Sequence, residues 1–250
     1  MSTSPTPAND VPSTAHNGPV KYLTKTIHIT SPFIATFLLV HLAAPISANF
    51  GGSSLASNVM LLGREYYQTA MGEKLLVLGP LAAHGLSAIA KRALSPADRP
   101  PRPLSSPLTI SGIAAAAFLT IHYQTHRVLP AVEAAPILAV GPAELDYEFV
   151  KTGLARWPAL NGALYAGLTA AVVMHAVDGA GILYSVYVKG GRWRAWWPAR
   201  RTRQIVAAFG VVLPVLTGLA CLAREPVMTL SSTVARYEAA FRQLWLYRVM

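Results

Sequence analysis

The sequence predicts an all-α membrane protein, a five-transmembrane-helix bundle with interfacial helices. Three observations lead there. Apolar residues make up 53% of the 250-residue chain and charged residues 13%, about half the share usual in a soluble domain. The charges gather between apolar runs rather than within them, as lipid-crossing segments require. Five apolar runs, about 31–49, 73–93, 107–127, 158–188 and 204–223, are long enough to cross a bilayer core at about 1.5 Å per residue.

In chain order, residues 1–20 are polar, rich in Pro, Ser and Thr and free of Lys and Arg. They read as a disordered cytosolic tail. They carry neither the basic start of a secretory signal nor the arginines of a transit peptide, so targeting is expected to rest on the spans. The membrane domain is expected over 21–225. Its first ten residues, KYLTKTIHIT, are mildly amphipathic and suit the interface, and Ser31-Pro32 predicts a helix start, cap then proline. Span one reaches about Asn49. A connection over 50–72 holds a short helix from Asn58 to Gln68 with Tyr66 and Tyr67. Span two contains GPLAAHGLSAIAKR, and the loop LSPADRPPRPLSSP after it is too proline-rich for a helix. Ser106-Pro107 begins span three.

Residues 128–157 hold Pro130, Pro136 and Pro142, then the amphipathic ELDYEFVKTGLARW. Span four starts at Trp157-Pro158 and, at roughly 45 Å, exceeds what a bilayer needs, which predicts tilt, a bend at Gly179/Gly181 or protrusion. The loop KGGRWRAWWPARRTR is basic and aromatic, and Pro214 predicts a kink in span five. In the amphipathic tail, 226–250, Val227, Leu230, Val234, Tyr237, Phe241 and Leu244 recur at helical spacing. Such a helix either lies on the membrane surface or packs against the bundle.

Five crossings put the N-terminus and the loops after spans two and four on one side. That side carries Lys21, Lys25, Lys91, Arg92, Arg99, Arg102, Lys189, Arg192, Arg194, Arg200, Arg201 and Arg203 against Asp10 and Asp98, while on the other side acids nearly balance cations. The bias places the N-terminus in the cytosol, with Trp193, Trp196 and Trp197 as an aromatic belt. The net charge of +10 therefore reflects membrane topology rather than nucleic-acid binding. The single cysteine, Cys221, excludes a disulfide framework or a CxxC metal site.

An imidazole within a span is costly and needs a partner. Spans one to four carry one each: His41, His84, His122 and His175. His41 lies about 12 Å and His122 about 8 Å from the ends away from the N-terminus, whereas His84 lies about 10 Å from Lys91 and His175 about 21 Å from Lys189 on the near side. Depth thus pairs His41 with His122 and His84 with His175. Two facing imidazoles suit haem iron, which accepts two axial histidines. Small residues that let a flat macrocycle lie between helices are present: Gly79, Ala82, Ala83, Gly85 and Ala88, Gly112 and Ala114 to Ala117, Gly179 and Gly181. The competing reading is that these residues serve close helix packing and each histidine bonds a neighbouring helix. Asp178, three residues after His175, either accepts the imidazole N–H or forms a salt bridge at the cytosolic interface, with Lys91 or Arg92 in reach.

Histidines on spans one to four, paired first with third and second with fourth, resemble the dihaem cytochrome b anchors of succinate dehydrogenase and fumarate reductase. GPLAAHGLSAIAKR, IHYQTHR and MHAVDGAGILY carry a closer resemblance, over about residues 30–223, to the fungal MDM-complementing protein family of the mitochondrial outer membrane. That resemblance implies haem b, one or two, held by His41, His84, His122 and His175. It implies a non-enzymatic adaptor in lipid homeostasis that recruits a bridge-like lipid-transfer protein, and lipid scrambling between leaflets. The recruiting motif in such adaptors is a Pro-x-Pro in a flexible cytosolic segment; Pro5-Thr6-Pro7 and Pro101-Arg102-Pro103 match it. The alternative is a haem-bearing anchor of a quinone-linked complex, which needs soluble partner subunits.

Overall fold

A computed structural model describes residues 18–188 and 197–249. All regular secondary structure among the described residues is helical, without strands. Helix α1, Gly18–Tyr67, consists of two limbs hinged at Gly51 and Gly52, where the backbone leaves helical geometry. A π-helical turn, Glu73–Leu78, leads into α2, Gly79–Leu94. Helix α3, Pro107–Tyr123, continues as π-helix through Gln124–Val128 and a 3₁₀ turn, Leu129–Ala131. Helices α4, Tyr147–Arg156, and α5, Pro158–Tyr187, meet at Trp157. Helix α6, Arg200–Ala207, passes through a π-helical turn, Ala208–Val212, into α7, Leu213–Arg224. Helix α8, Ser231–Gln243, and a 3₁₀ turn, Trp245–Tyr247, end the chain.

Among the described residues three helices are long and apolar enough to cross a membrane: Gly18–Tyr67, Pro158–Tyr187 and Arg200–Arg224. Spans two and three of the sequence reading correspond to α2 and α3 with their π-helical turns. These turns have a common cause. Each precedes a proline (Pro80, Pro130, Pro214), and the residue before that proline donates its N–H five residues back: Gly79 to Lys74, Leu129 to Gln124, Leu213 to Ala208. A proline ring in a helix crowds the carbonyl four residues back, and the wider π turn relieves that crowding.

The start predicted at Ser31-Pro32 is not one. Helix α1 is already running at Gly18, and 21–30 is its first part rather than a separate interfacial piece. Hydroxyls supplement the backbone around Pro32, Thr30 Oγ1 donating to the carbonyls of Thr26 and Ile27 and Ser31 Oγ to that of Ile27. Arg200 to Arg203 are helical rather than loop. Pro5 and Pro7, and the tail from 1 to 17, lie outside the described residues, as do Lys189, Arg192, Trp193, Arg194 and Trp196.

The second limb of α1 folds back along the first. Gly63 permits this, because a Cβ there would meet Val40 at 3.0 Å and Tyr67 at 3.2 Å. The bundle proper is built from tight pairs. The first limb packs on α2 and on α7, and α3 packs on α5. At the α1–α7 crossing, a Cβ on Gly218 would collide with the Pro45 carbonyl, so that contact requires glycine. Between the α1–α2 pair and the α3–α5 pair, close backbone packing is nearly absent, and α3 buries no side chain fully between Pro107 and Tyr123.

The end of the bundle away from the N-terminus is closed by a cap of α4, α8 and the loop between α3 and α4. Its core contains Ile137, Leu145, Phe149, Trp157, Tyr237 and Phe241. Phe149 and Phe241 stack at 4.4 Å and 12°. Tyr237, buried here, donates its hydroxyl to the Glu144 carbonyl. Of the two readings of the tail, packing against the rest of the protein describes Tyr237 and Phe241, while Leu230 remains 73% exposed.

Candidate functional site

The four span histidines meet in two pairs. His84 on α2 faces His175 on α5 with ring centres 6.2 Å apart, and His41 on α1 faces His122 on α3 at 5.9 Å. This is the pairing that depth along the helices predicts. Thr30 abuts His84, and Thr30 and His41 are eleven positions apart on α1, so the two pairs are separated by about 16 Å of helix rise.

The outer pair, His84 and His175, has fixed tautomers. His175 Nδ1 lies 3.1 Å from the Leu108 carbonyl oxygen; a carbonyl only accepts, so Nδ1 carries the proton. His84 Nδ1 lies 3.2 Å from Thr30 Oγ1. The one hydroxyl proton of Thr30 is directed to its own helix, at 2.9 Å from the Thr26 oxygen, so Oγ1 accepts from His84. In the neutral rings this leaves the lone pair on each Nε2. Gly112 makes room for this arrangement: a Cβ would stand 2.9 Å from Cε1 and 3.0 Å from Nδ1 of His175. At Gly85 and Gly179 a Cβ would meet nothing within 4 Å, so neither is required by packing.

Asp178 is not the acceptor for His175. Its carboxylate takes a forked ion pair from Arg200, 2.8 Å from Nε and 2.5 Å from Nη2, and a third bond from Gln204 at 3.0 Å. The salt-bridge reading describes it, with Arg200 in place of Lys91 or Arg92. The reason is topological: α6 begins beside Asp178 and brings Arg200 to it.

The inner pair is more crowded. His126, one turn after His122, tilts over it at 4.4 Å and bonds the Tyr165 hydroxyl at 3.1 Å. His41 stacks on Phe37 and lies 3.5 Å from the Tyr67 hydroxyl, at the outer limit of a hydrogen bond. A cavity of about 10 Å³ lined by His122, Thr125, His126, Asn161, Tyr165 and Tyr247 adjoins it, room for one water. Phe149 and Phe241 of the cap close over His126. The sequence placed His126 only near a span end; its four-residue spacing from His122 is the signal that puts both on one helix face.

The spacing of both donor sets suits two axial imidazoles on one iron. Two imidazole nitrogens bonded to one metal at about 2 Å each place the ring centres roughly 6 Å apart, and both pairs have that spacing across the loosely packed seam between helix pairs. Among the described residues, no three His, Cys, Asp or Glu side chains are arranged to hold a bare metal ion. Pro101 and Pro103 lie in a non-helical stretch between α2 and α3, with Arg102 and Pro103 exposed and the Arg102 carbonyl accepting from Arg92 at 2.9 Å. No family model, curated protein or solved structure matches the chain.

Proposed function

We propose that this chain is a five-crossing haem b membrane protein and that, as its resemblance implies, it acts as a mitochondrial outer-membrane adaptor in lipid homeostasis. The observation that carries the haem reading is the outer pair: two neutral imidazoles, each fixed through Nδ1 to a separate acceptor, each with Nε2 free, at the spacing of axial ligands. His84 and His175 hold one haem there, and His41 and His122 form the second, inner position. Bound haem supplies a low-spin iron that exchanges one electron. Thr30 and the Leu108 carbonyl orient the rings and raise their basicity as ligands. The cap closes over the inner pair and leaves room for one water beside it.

Five crossings are supported by α2 with its leading π turn and by α3, as well as by the three long helices. At one end Arg92 reaches Thr109 at 3.5 Å, and at the other Arg127 pairs with Glu73 at 2.7 Å. Those positions lie about 27 Å apart along the helix, close to the hydrocarbon thickness. On the adaptor side, Pro101-Arg102-Pro103 is a non-helical segment beside the basic face with Arg102 and Pro103 exposed, and its prolines reduce the entropy lost on docking. Pro5 and Pro7 form the second candidate motif.

Purified His84→Ala and His175→Ala variants are each expected to lose one haem; full retention in both removes the assignment. Replacing Pro101 and Pro103 by alanine is expected to weaken recruitment of the lipid-transfer partner in cells. Unchanged recruitment, with the 1–20 deletion also silent, ends the Pro-x-Pro reading.

A further inference from the structure

Three helices converge above the outer imidazole pair on the N-terminal side. His28 on α1 is two residues before Thr30, about 3 Å of rise beyond the His84 layer. Its Nδ1 lies 3.1 Å from the hydroxyl of Tyr187 on α5, the rings meeting edge to face at 5.6 Å and 75°. Lys91 lies two turns after His84 on the same face of α2. It lies within electrostatic reach of His28, and His28 within reach of His84. Among the described residues, the Lys91 ammonium has no hydrogen-bond or ion-pair partner, and no carboxylate bonds His28 or Tyr187.

This locus is rich in donors and lacks an acceptor. When Tyr187 donates its hydroxyl proton to His28 Nδ1, the ring carries its proton on Nε2 and offers it outward. The ammonium adds three donors and a full charge. Such a set selects an oxyanion, and charge-assisted bonds make it a strong one. Two sources of oxyanion can reach it: the carboxylates of a macrocycle seated between His84 and His175, or the phosphate of a lipid headgroup at the interface. Continuity with the imidazole pair favours the first, since His28 and Lys91 stand on the helices that carry Thr30 and His84.

We infer that His28, Lys91 and Tyr187 form the carboxylate site that receives the propionates of the outer haem and fixes which way round it sits. The inference rests on the haem reading, and its test separates the two. The full-length apoprotein in phosphatidylcholine nanodiscs is titrated with ferric haem and with its dimethyl ester, following the Soret band and the low-spin electron paramagnetic resonance (EPR) signal. The wild type is expected to bind haem about tenfold more tightly than the ester. Lys91→Gln and His28→Gln should bring haem down to the affinity of the ester, leaving the ester's own affinity and the bis-imidazole signal unchanged. Equal affinities for the two in the wild type, or variants that weaken both alike, overturn the inference. So does an unchanged haem-to-ester ratio in variants that, in parallel nanodiscs containing phosphatidylserine, lose the anionic lipid that co-purifies with the wild type, which would assign the locus to a headgroup. A wild type without a bis-imidazole signal with either ligand overturns the haem reading itself.

Discussion

Thr30 is the residue on which the outer pair turns. It is buried, its proton is committed to its own helix, and its oxygen holds His84 from across the α1–α2 contact. Thr30→Val keeps the shape and removes the acceptor. Haem affinity at the outer position should fall about tenfold and the midpoint potential should rise, because a less basic axial ligand stabilises ferric iron less; a redox titration with haem quantitation checks both. The glycines divide similarly. Gly112→Ala drives a methyl group against the His175 ring and should deplete the outer haem, whereas Gly85→Ala and Gly179→Ala, which meet open space, should retain it. Equal retention in all three would remove Gly112 from the site. The histidines were legible in the sequence because a polar ring in an apolar run stands out. Their partners were not. Thr30 and the Leu108 carbonyl belong to other helices, and Asp178, the neighbour that sequence spacing offered as one alternative, is taken by Arg200.

At the scale of elements, the helices over 73–94, 107–128 and 158–187 were readable to within a residue or so, since proline and apolar length mark them. The π turns were not, because their signal is the effect of a proline on the turn before it. The hinge in α1 also depended on distant residues. Gly52 has a left-handed backbone with φ of 59°. Glu225, just past α7, accepts the Ser53 N–H that the hinge exposes, at 3.0 Å. Lys151, only 2% exposed, ties this junction together through Glu148 at 2.6 Å and Glu225 at 3.4 Å. Lys151→Ala leaves two partly buried carboxylates unpaired and should cost about 3 kcal/mol of cap stability, measured by denaturant unfolding. The cap and this junction together give a pH dependence. The bond from Arg236 holds the Glu144 carboxyl below its ordinary value of 4.5, and bonds from Ser53 do the same for Glu225. Groups with lowered values contribute stability above the ordinary carboxylate range and lose it as pH falls through their own. Hydrogen-exchange protection of the α4 and α8 amides should thus be level from pH 7 to 5 and decline below about 4.

On the scale of the whole molecule, buried core gathers in the cap and where α4 meets α1, α5 and α7, and the rest is α1 with α2 and α7 on one side and α3 with α5 on the other, with a seam between them. Amphipathic spacing around Tyr237 and Phe241 announced a buried or interfacial face but not which one. Composition announced lipid crossing, because burial of apolar side chains inside the bundle is slight and the bilayer must cover the rest. The seam itself has no sequence signature beyond small residues. Its distinctive content is the two facing imidazole pairs, and the account stands or falls on what lies between them. The most direct test is the absorption spectrum of the detergent-purified wild-type protein, with haem quantified against protein. The account predicts a sharp Soret band with resolved α bands on reduction, typical of six-coordinate bis-imidazole iron, at one to two haems per chain. A chain that carries no haem after expression with ample haem supply, or one whose spectrum is high-spin, contradicts it.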